Sequence, residues 1–209
     1  LHQMGIKLLT INERAISMSN PQKRTRFLEA NHLPVGQTWF LDSLGLKYDE
    51  HLQEQLENKL SFPILLIKKY YFKRDDHISF KSSRDLAQYL RQESQDRDFR
   101  PASYRMTEDL SNCEEVILDL LRDEDGNLCF VGATGSLEPV GIDSGDSVLI
   151  KPLLTMNNDQ IQVLRAEAGK IADKLQLVGF LSVHFAISHR GTEMVYKLLA
   201  VKPRLTRTA

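Results

Sequence analysis

No apolar run in this 209-residue chain approaches the roughly 20 residues that a bilayer-spanning helix requires. The opening residues also lack the charged stretch, apolar core and small-residue cleavage site of a secretory leader. A soluble, cytoplasmic protein is therefore expected. Charge of one sign is missing too: 27 Lys and Arg face 28 Asp and Glu, a formal net charge of −1. Neither nucleic acid nor an anionic membrane is expected as a partner, and a charged ligand must be held by local groups. Cysteine is scarce. Cys113 and Cys129 form no CxxC and no Cys/His cluster at zinc spacing, so both are read as reduced thiols. What the chain does have is 42% hydrophobic residues, enough to fill one sizeable domain or two small lobes.

Helix and strand signals alternate without βαβ regularity, which favours an α+β architecture with antiparallel sheets. Asn20 is placed to cap a helix with Pro21 at its first position and Phe27 and Leu28 toward the core. Leu52, Leu56 and Leu60 recur four apart on one helical stripe, and the aliphatic run Phe62 to Ile67 reads as a buried strand. Ile78 to Phe80 is a short strand candidate, and Ser82 or Ser83 can cap a helix carrying Leu86, Tyr89 and Leu90. The polar stretch Glu93 to Arg105 reads as a mobile connection between lobes. Val116 to Leu121 and Leu128 to Ala133 flank a turn with Asp125-Gly126, a hairpin pattern. Thr155 is positioned to cap a long helix lined by Ile161, Leu164, Ile171 and Leu175 and ended by Gly179. Phe180 to Ile187 and Met194 to Val201 are strands joined through Gly191. Residues 1–20 read as the tail of a preceding unit, 21–104 as a first, mobile lobe and 105–209 as a second. The chain begins at Leu1 and looks like part of something longer.

Several segments, in order, carry a family likeness. Gly141-Ile-Asp-Ser-Gly-Asp-Ser147 is similar to the Gly-Val/Ile-His-Ser/Thr-Gly-Asp-Ser signature of carbamoyl-phosphate synthase large subunits. Phe27, Phe62-Pro63, the acidic strand Glu115 to Asp123 and the ending Val201-Lys-Pro-Arg-Leu-Thr-Arg-Thr208 resemble the same family at similar spacing. The likeness covers essentially the whole chain. The approach Gly135-Ser-Leu-Glu-Pro-Val-Gly141 and the Thr208 ending look more like that subunit's second half, which phosphorylates carbamate where the first phosphorylates bicarbonate. The resemblance implies the ATP-grasp fold, two α+β lobes clamping ATP between antiparallel sheets. It also implies ATP as ligand, the remaining domains of a larger chain and a small glutaminase subunit as partners, and a place in pyrimidine and arginine biosynthesis.

Carried over residue by residue, the resemblance assigns nucleotide contacts to Arg24, Glu108, Leu110, Glu115, Gly141, Ile142 and Ser144. Glu108 and Leu110 fall at the hinge that pairs with adenine, and Glu115 where a carboxylate accepts from ribose hydroxyls. Read without it, Glu108 and Glu115 are solvated strand-end charges and Arg24 a helix-surface cation. The phosphate side departs from the pattern. Ile67-Lys-Lys-Tyr70 and Lys73-Arg-Asp-Asp76 replace Arg-Pro-Ser-Tyr and its Gly-Gly loop. Lys68, Lys69, Lys73 and Arg74 can offer side-chain charge without a backbone cradle, or else belong to a solvated charged turn. Arg204 and Arg207 match the family's closing arginines as anion contacts, and Asp143 stands where the signature has His. The metal side departs further, since His184, Ala200 and Lys202 occupy the positions of a Gln, a Glu and an Asn that coordinate Mg²⁺. Neither a methyl nor an ammonium supplies the hard oxygen that Mg²⁺ demands, so no metal site is expected. His184 on an alternating strand is more often a satisfied core or cleft histidine than a ligand. Three functions stay open: a nucleotide-binding module impaired in catalysis, an active ATP-dependent ligase or synthase forming carbamoyl phosphate or a related acyl phosphate, and a non-catalytic regulatory or assembly domain.

Overall fold

The structure, a computed structural model, describes residues 21–70, 75–138, 140, 149–150, 153, 155–191 and 193–204. The elements in chain order are α1 (Pro21–Ala30), β1 (Thr38–Phe40), α2 (Leu52–Lys59), β2 (Ile64–Lys68), β3 (Asp76–Phe80), α3 (Ser83–Ser94), β4 (Tyr104–Glu108), β5 (Glu114–Arg122), β6 (Leu128–Ser136), β7 (Leu149–Ile150), α4 (Asn158–Leu175), β8 (Gly179–Arg190) and β9 (Glu193–Lys202). The chain divides into a smaller unit, Gly36–Asp109, and a larger one made of Leu1–Val35 with Leu110–Ala209. The α+β class with antiparallel sheets is observed in both.

In the smaller unit a four-stranded antiparallel sheet, ordered β1-β4-β2-β3, packs against α2 and α3. The leucine stripe is buried as its spacing dictates, Leu52 and Leu56 completely and Leu60 nearly so. The Ser82 hydroxyl accepts from the Asp85 backbone N–H at 3.3 Å and starts α3. Leu86 and Leu90 then turn inward to meet Ile64, Leu66 and Met106. The segment expected to link the lobes stays inside this unit. Phe99 stacks near Tyr48 and Tyr104, Tyr104 is 2% exposed, and residues 104–108 form a strand between β1 and β2. Its polar composition hides three anchors, Glu93, Phe99 and Tyr104.

In the larger unit the antiparallel order is β7-β6-β5-β8-β9. Gly126 and Gly191, at φ +89° and +63°, make the two hairpin turns, where a side chain would be strained. Asp123 tightens the first by accepting from Asn127 through the backbone N–H at 2.7 Å and the amide at 2.8 Å. Helix α4 covers one sheet face, with Leu164, Ala168 and Ile171 against Val116, Leu118, Val183 and Phe185. Its cap is Asn157 and not Thr155: Asn157 accepts from the Gln160 N–H, and Gln160 accepts in return from the Asn157 N–H, the two satisfying each other's backbone donors. The helix stops at Leu175, where Gln176 takes the left-handed conformation, and Gly179 opens the next strand instead of ending the helix.

The division differs from lobes at 21–104 and 105–209. Leu28 and Leu33 are buried in the larger unit's core, Lys174 donates to the Asn31 amide oxygen at 3.1 Å, and Leu198 N–H donates to the Pro34 carbonyl. Apolar burial draws residues 21–35 back to a sheet formed far along the chain.

Candidate functional site

Alternation along β5 and β8 gives the five-stranded sheet two unlike faces. Val116, Leu118 and Leu120 on β5, with Leu181, Val183 and Phe185 on β8, point to the helices. Their neighbours Glu115, Ile117 and Asp119, with Ser182, His184 and Ala186, point the other way. Register adds Thr134 and Ser136 from β6 and Ala200 and Lys202 from β9 to this second face. It is polar and largely buried: Asp119 is 3% exposed, Thr134 4%, Ser182 1% and His184 4%.

Two hydrogen-bonded groups organise it. His184 Nδ1 lies 2.7 Å from Glu115 Oε1, a diagonal contact between β8 and β5. The Ser182 hydroxyl donates to Asp119 Oδ1 and lies 3.2 Å from the Arg204 carbonyl oxygen, its single proton serving one acceptor at a time. Among the described residues, His184 Nε2 and Thr134 Oγ1 are buried without a hydrogen-bond partner. Leaving a buried polar atom unpaired costs about 1–3 kcal/mol.

Of the residues expected at a site, Glu115, His184, Ala200 and Lys202 are brought onto this one face. Arg204 follows directly and is exposed. Leu110 begins the turn into β5, its carbonyl accepting from Cys113 N–H at 2.9 Å. Glu108 ends β4 in the smaller unit, where its N–H donates to the Gln37 carbonyl. Arg24 lies on α1, its side chain beyond the described atoms; Gly141, Ile142, Asp143, Ser144 and Arg207 lie outside the described residues. Neither cysteine is in a disulfide.

Lys68 has another use than a phosphate contact. Its ammonium sits 2.6 Å from Glu93 Oε2, and the Tyr104 hydroxyl donates to the same oxygen. Lys68 also stands over the Tyr104 and Tyr70 rings, 5.3 and 5.7 Å from their centroids. Burial alone would pull the lysine pKa down, but the bonds to Glu93 and Tyr104 outweigh it and hold the ammonium above the ordinary lysine range. Burial, and then the bond to Glu93, push the Tyr104 phenol up. Burial would raise Glu93, yet Lys68 and Tyr104 hold it below the ordinary carboxylate range. Lys69, one residue on, is exposed.

The sequence reading missed Asp119, Ser182 and Thr134. The signal was present, since Asp119 and Ser182 each interrupt a run of aliphatic residues on a strand, and a polar residue recurring at period two faces one side.

The positions that the resemblance assigns to metal ligands can be tested on their donor chemistry. His184 commits Nδ1 to Glu115, Ala200 ends in a methyl and Lys202 in an ammonium. These side chains do not fit a hard-oxygen Mg²⁺ cage. Among the described residues no three His, Cys, Asp or Glu side chains stand together as metal ligands, and no helix is long and apolar enough to cross a membrane.

The fold is ATP-grasp, shared with solved neighbours and consistent with an antiparallel sheet and helices in each unit. The C. jejuni biotin carboxylase in complex with βγ-ATP matches with a TM-score of 0.69 at 17% identity, covering 99% of this chain and 45% of that one. The biotin carboxylase domain of Hydrogenobacter thermophilus 2-oxoglutarate carboxylase, in complex with MgADP, ADP and bicarbonate, also matches at 0.69, with 13% identity and coverage of 99% and 44%. Residues 79–209 match the family described as carbamoyl-phosphate synthase L chain, ATP binding domain, and the chain belongs to that family. The carbamoyl phosphate synthase large chain of Xanthomonas campestris pv. campestris is 30% identical over 214 residues, 90% of this chain and 19% of the relative. This chain thus spans about a fifth of the length of that relative.

Proposed function

We propose that this chain binds an adenine nucleotide and is impaired in transferring its phosphoryl group. Family membership and the nucleotide complexes of its fold neighbours support the binding. The observation that carries the impairment is the register row His184–Ala200 with Lys202 beside it, which replaces three oxygen or amide donors by an engaged imidazole, a methyl and a cation. Phosphoryl transfer depends on positioned metal ions that neutralise charge as it develops and align the attacking and leaving oxygens. A fixed ammonium at Lys202 can attract phosphate but cannot bridge and orient two of its oxygens as Mg²⁺ does. The reading therefore includes ATP as ligand, Mg²⁺ as dispensable for binding it, and Arg204, Arg207 and Lys69 as the anion contacts. Lys68 is dropped from that set because Glu93 occupies it.

Thermal unfolding with ATP, with and without MgCl₂, tests this. ATP at a hundredfold over its Kd should stabilise by about 2.7 kcal/mol, and magnesium should add nothing. EDTA-sensitive ATP turnover with bicarbonate or carbamate would overturn the impairment, and a melting temperature indifferent to ATP would overturn the binding.

A further inference from the structure

Lys202 ends the last strand at a place where its backbone is fixed from both sides. It lies in one register row with Ser182 on β8 and Asp119 on β5, beside the row that holds His184 and Ala200. Val201, just before it, is buried in the core. Just after it the chain folds back at Pro203, where the Arg204 N–H donates to the Lys202 carbonyl at 2.8 Å. The Ser182 hydroxyl, bonded to buried Asp119, lies 3.2 Å from the Arg204 carbonyl oxygen and braces that turn. Two cationic side chains thus leave a short, held segment, Lys202 half-buried and Arg204 exposed. Among the described residues neither has an acidic partner. The carboxylates of this face are engaged elsewhere, Glu115 by His184 and Asp119 by Ser182. What Lys202 offers a ligand is an uncommitted positive charge with three donors.

We infer that Lys202 is a built-in counter-ion that selects the magnesium-free form of a phosphorylated nucleotide, so that magnesium opposes binding to this chain. The inference rests on the nucleotide reading above and goes beyond it. Impaired transfer asks only that magnesium add nothing; a fixed cation where the resemblance implies a metal-ligating Asn asks that it subtract. Two positive charges drawn to the same phosphate oxygens repel each other, and more strongly at a half-buried position than in bulk water. An oxygen already bound to Mg²⁺ also offers an ammonium a weaker charge-assisted hydrogen bond, because the metal has neutralised it. Lys202 therefore discriminates between two forms of one ligand by the repulsion it adds against the metal-bound form.

Calorimetry with ADP, first in EDTA and then with MgCl₂ in large excess, reads the sign directly. Ionic strength is matched with KCl, because salt alone screens phosphate contacts. The unmutated protein should bind ADP about tenfold more weakly with MgCl₂, one charge-assisted hydrogen bond's worth of affinity. Adenosine, which has no phosphate, should bind equally in both. Lys202→Met should weaken metal-free ADP binding about tenfold and cut the magnesium effect to about twofold or less. Lys202→Arg keeps the charge and should keep the effect. ADP binding that is equal or tighter with MgCl₂ would overturn the inference and leave the nucleotide reading standing. The same holds if Lys202→Met retains the full magnesium effect, which would belong to the remaining cations, or if adenosine responds to magnesium as ADP does. A protein that binds ADP in neither condition would defeat the nucleotide reading itself, and the preference for a metal-free ligand with it.

Discussion

Two partly buried clusters of ionisable side chains, one in each unit, look alike in composition and differ in what they leave over. Lys68, Glu93 and Tyr104 form a closed group, in which the ammonium and the phenol both converge on one carboxylate oxygen and an aromatic ring lies beneath the cation. Glu115 and His184 form an open group, with one nitrogen unpaired among the described residues and one carboxylate partly exposed. Closed networks rigidify a fold, because each member satisfies another; open ones leave capacity that a ligand can meet. A lysine beside a tyrosine is therefore no anion contact merely by its charge.

Removing the apolar support beneath the open cluster should have the largest effect. Phe185→Ala, which deletes a completely buried ring in edge contact with Tyr196, should cost about 3–5 kcal/mol in denaturant unfolding of the larger unit. The closed cluster comes next. Glu93→Gln should cost about 2 kcal/mol at neutral pH, the worth of a hydrogen-bonded charged pair. The sign with pH follows from the depressed Glu93 pKa: its contribution is complete above the ordinary value of 4.5 and is lost as pH falls through the lower folded value. Lys68, raised on folding, contributes fully below 10.5 and loses its part only above that. The stability difference between the unmutated protein and Glu93→Gln should then shrink on acidification below about 4.5; a difference that stays constant would place the cost elsewhere.

A smaller effect should sharpen the account of the open face. Ala200→Glu with Lys202→Asn restores two oxygen donors in the row of His184, and ATP should then bind about tenfold more tightly with MgCl₂ than without, about 1.4 kcal/mol in melting-curve analysis. Equal affinities would show that the register does not place these residues at a cation. The smallest effect separates neighbouring lysines: Lys69→Ala, exposed, should change stability by less than about 0.5 kcal/mol, whereas Lys68→Ala should cost several times that.

Much of the fold was legible in the residues. The leucine stripe of α2, the Ser82 cap, and the hairpins at Gly126 and Gly191 follow from local rules of spacing and backbone sterics. The open face was half legible: Glu115, Ala200 and Lys202 stood out through a family likeness, while Asp119, Ser182 and Thr134 did not, because each is an ordinary polar residue until strand pairing lines it up with the others. Two local expectations failed where alternatives were close in sequence. Asn157 displaced Thr155 as a cap because it completes a reciprocal pair with Gln160, and Glu93 to Arg105 folded in place because its three anchors outweigh its polar composition.

By itself the sequence determined the buried stripe of α2, the Ser82 cap, strand alternation and turn positions, and, beside the family likeness, that a methyl and an ammonium stand where the resemblance implies oxygen donors. Those depend on near neighbours, whose geometry the backbone fixes within a few residues. Only the tertiary structure decided that Lys68 belongs to Glu93, that His184 holds Glu115, and that residues 21–35 belong to a sheet formed more than 75 positions later. Hydrogen bonds and burial join groups by distance in space, and strand register across a sequence separation of 69 is not written in any local pattern.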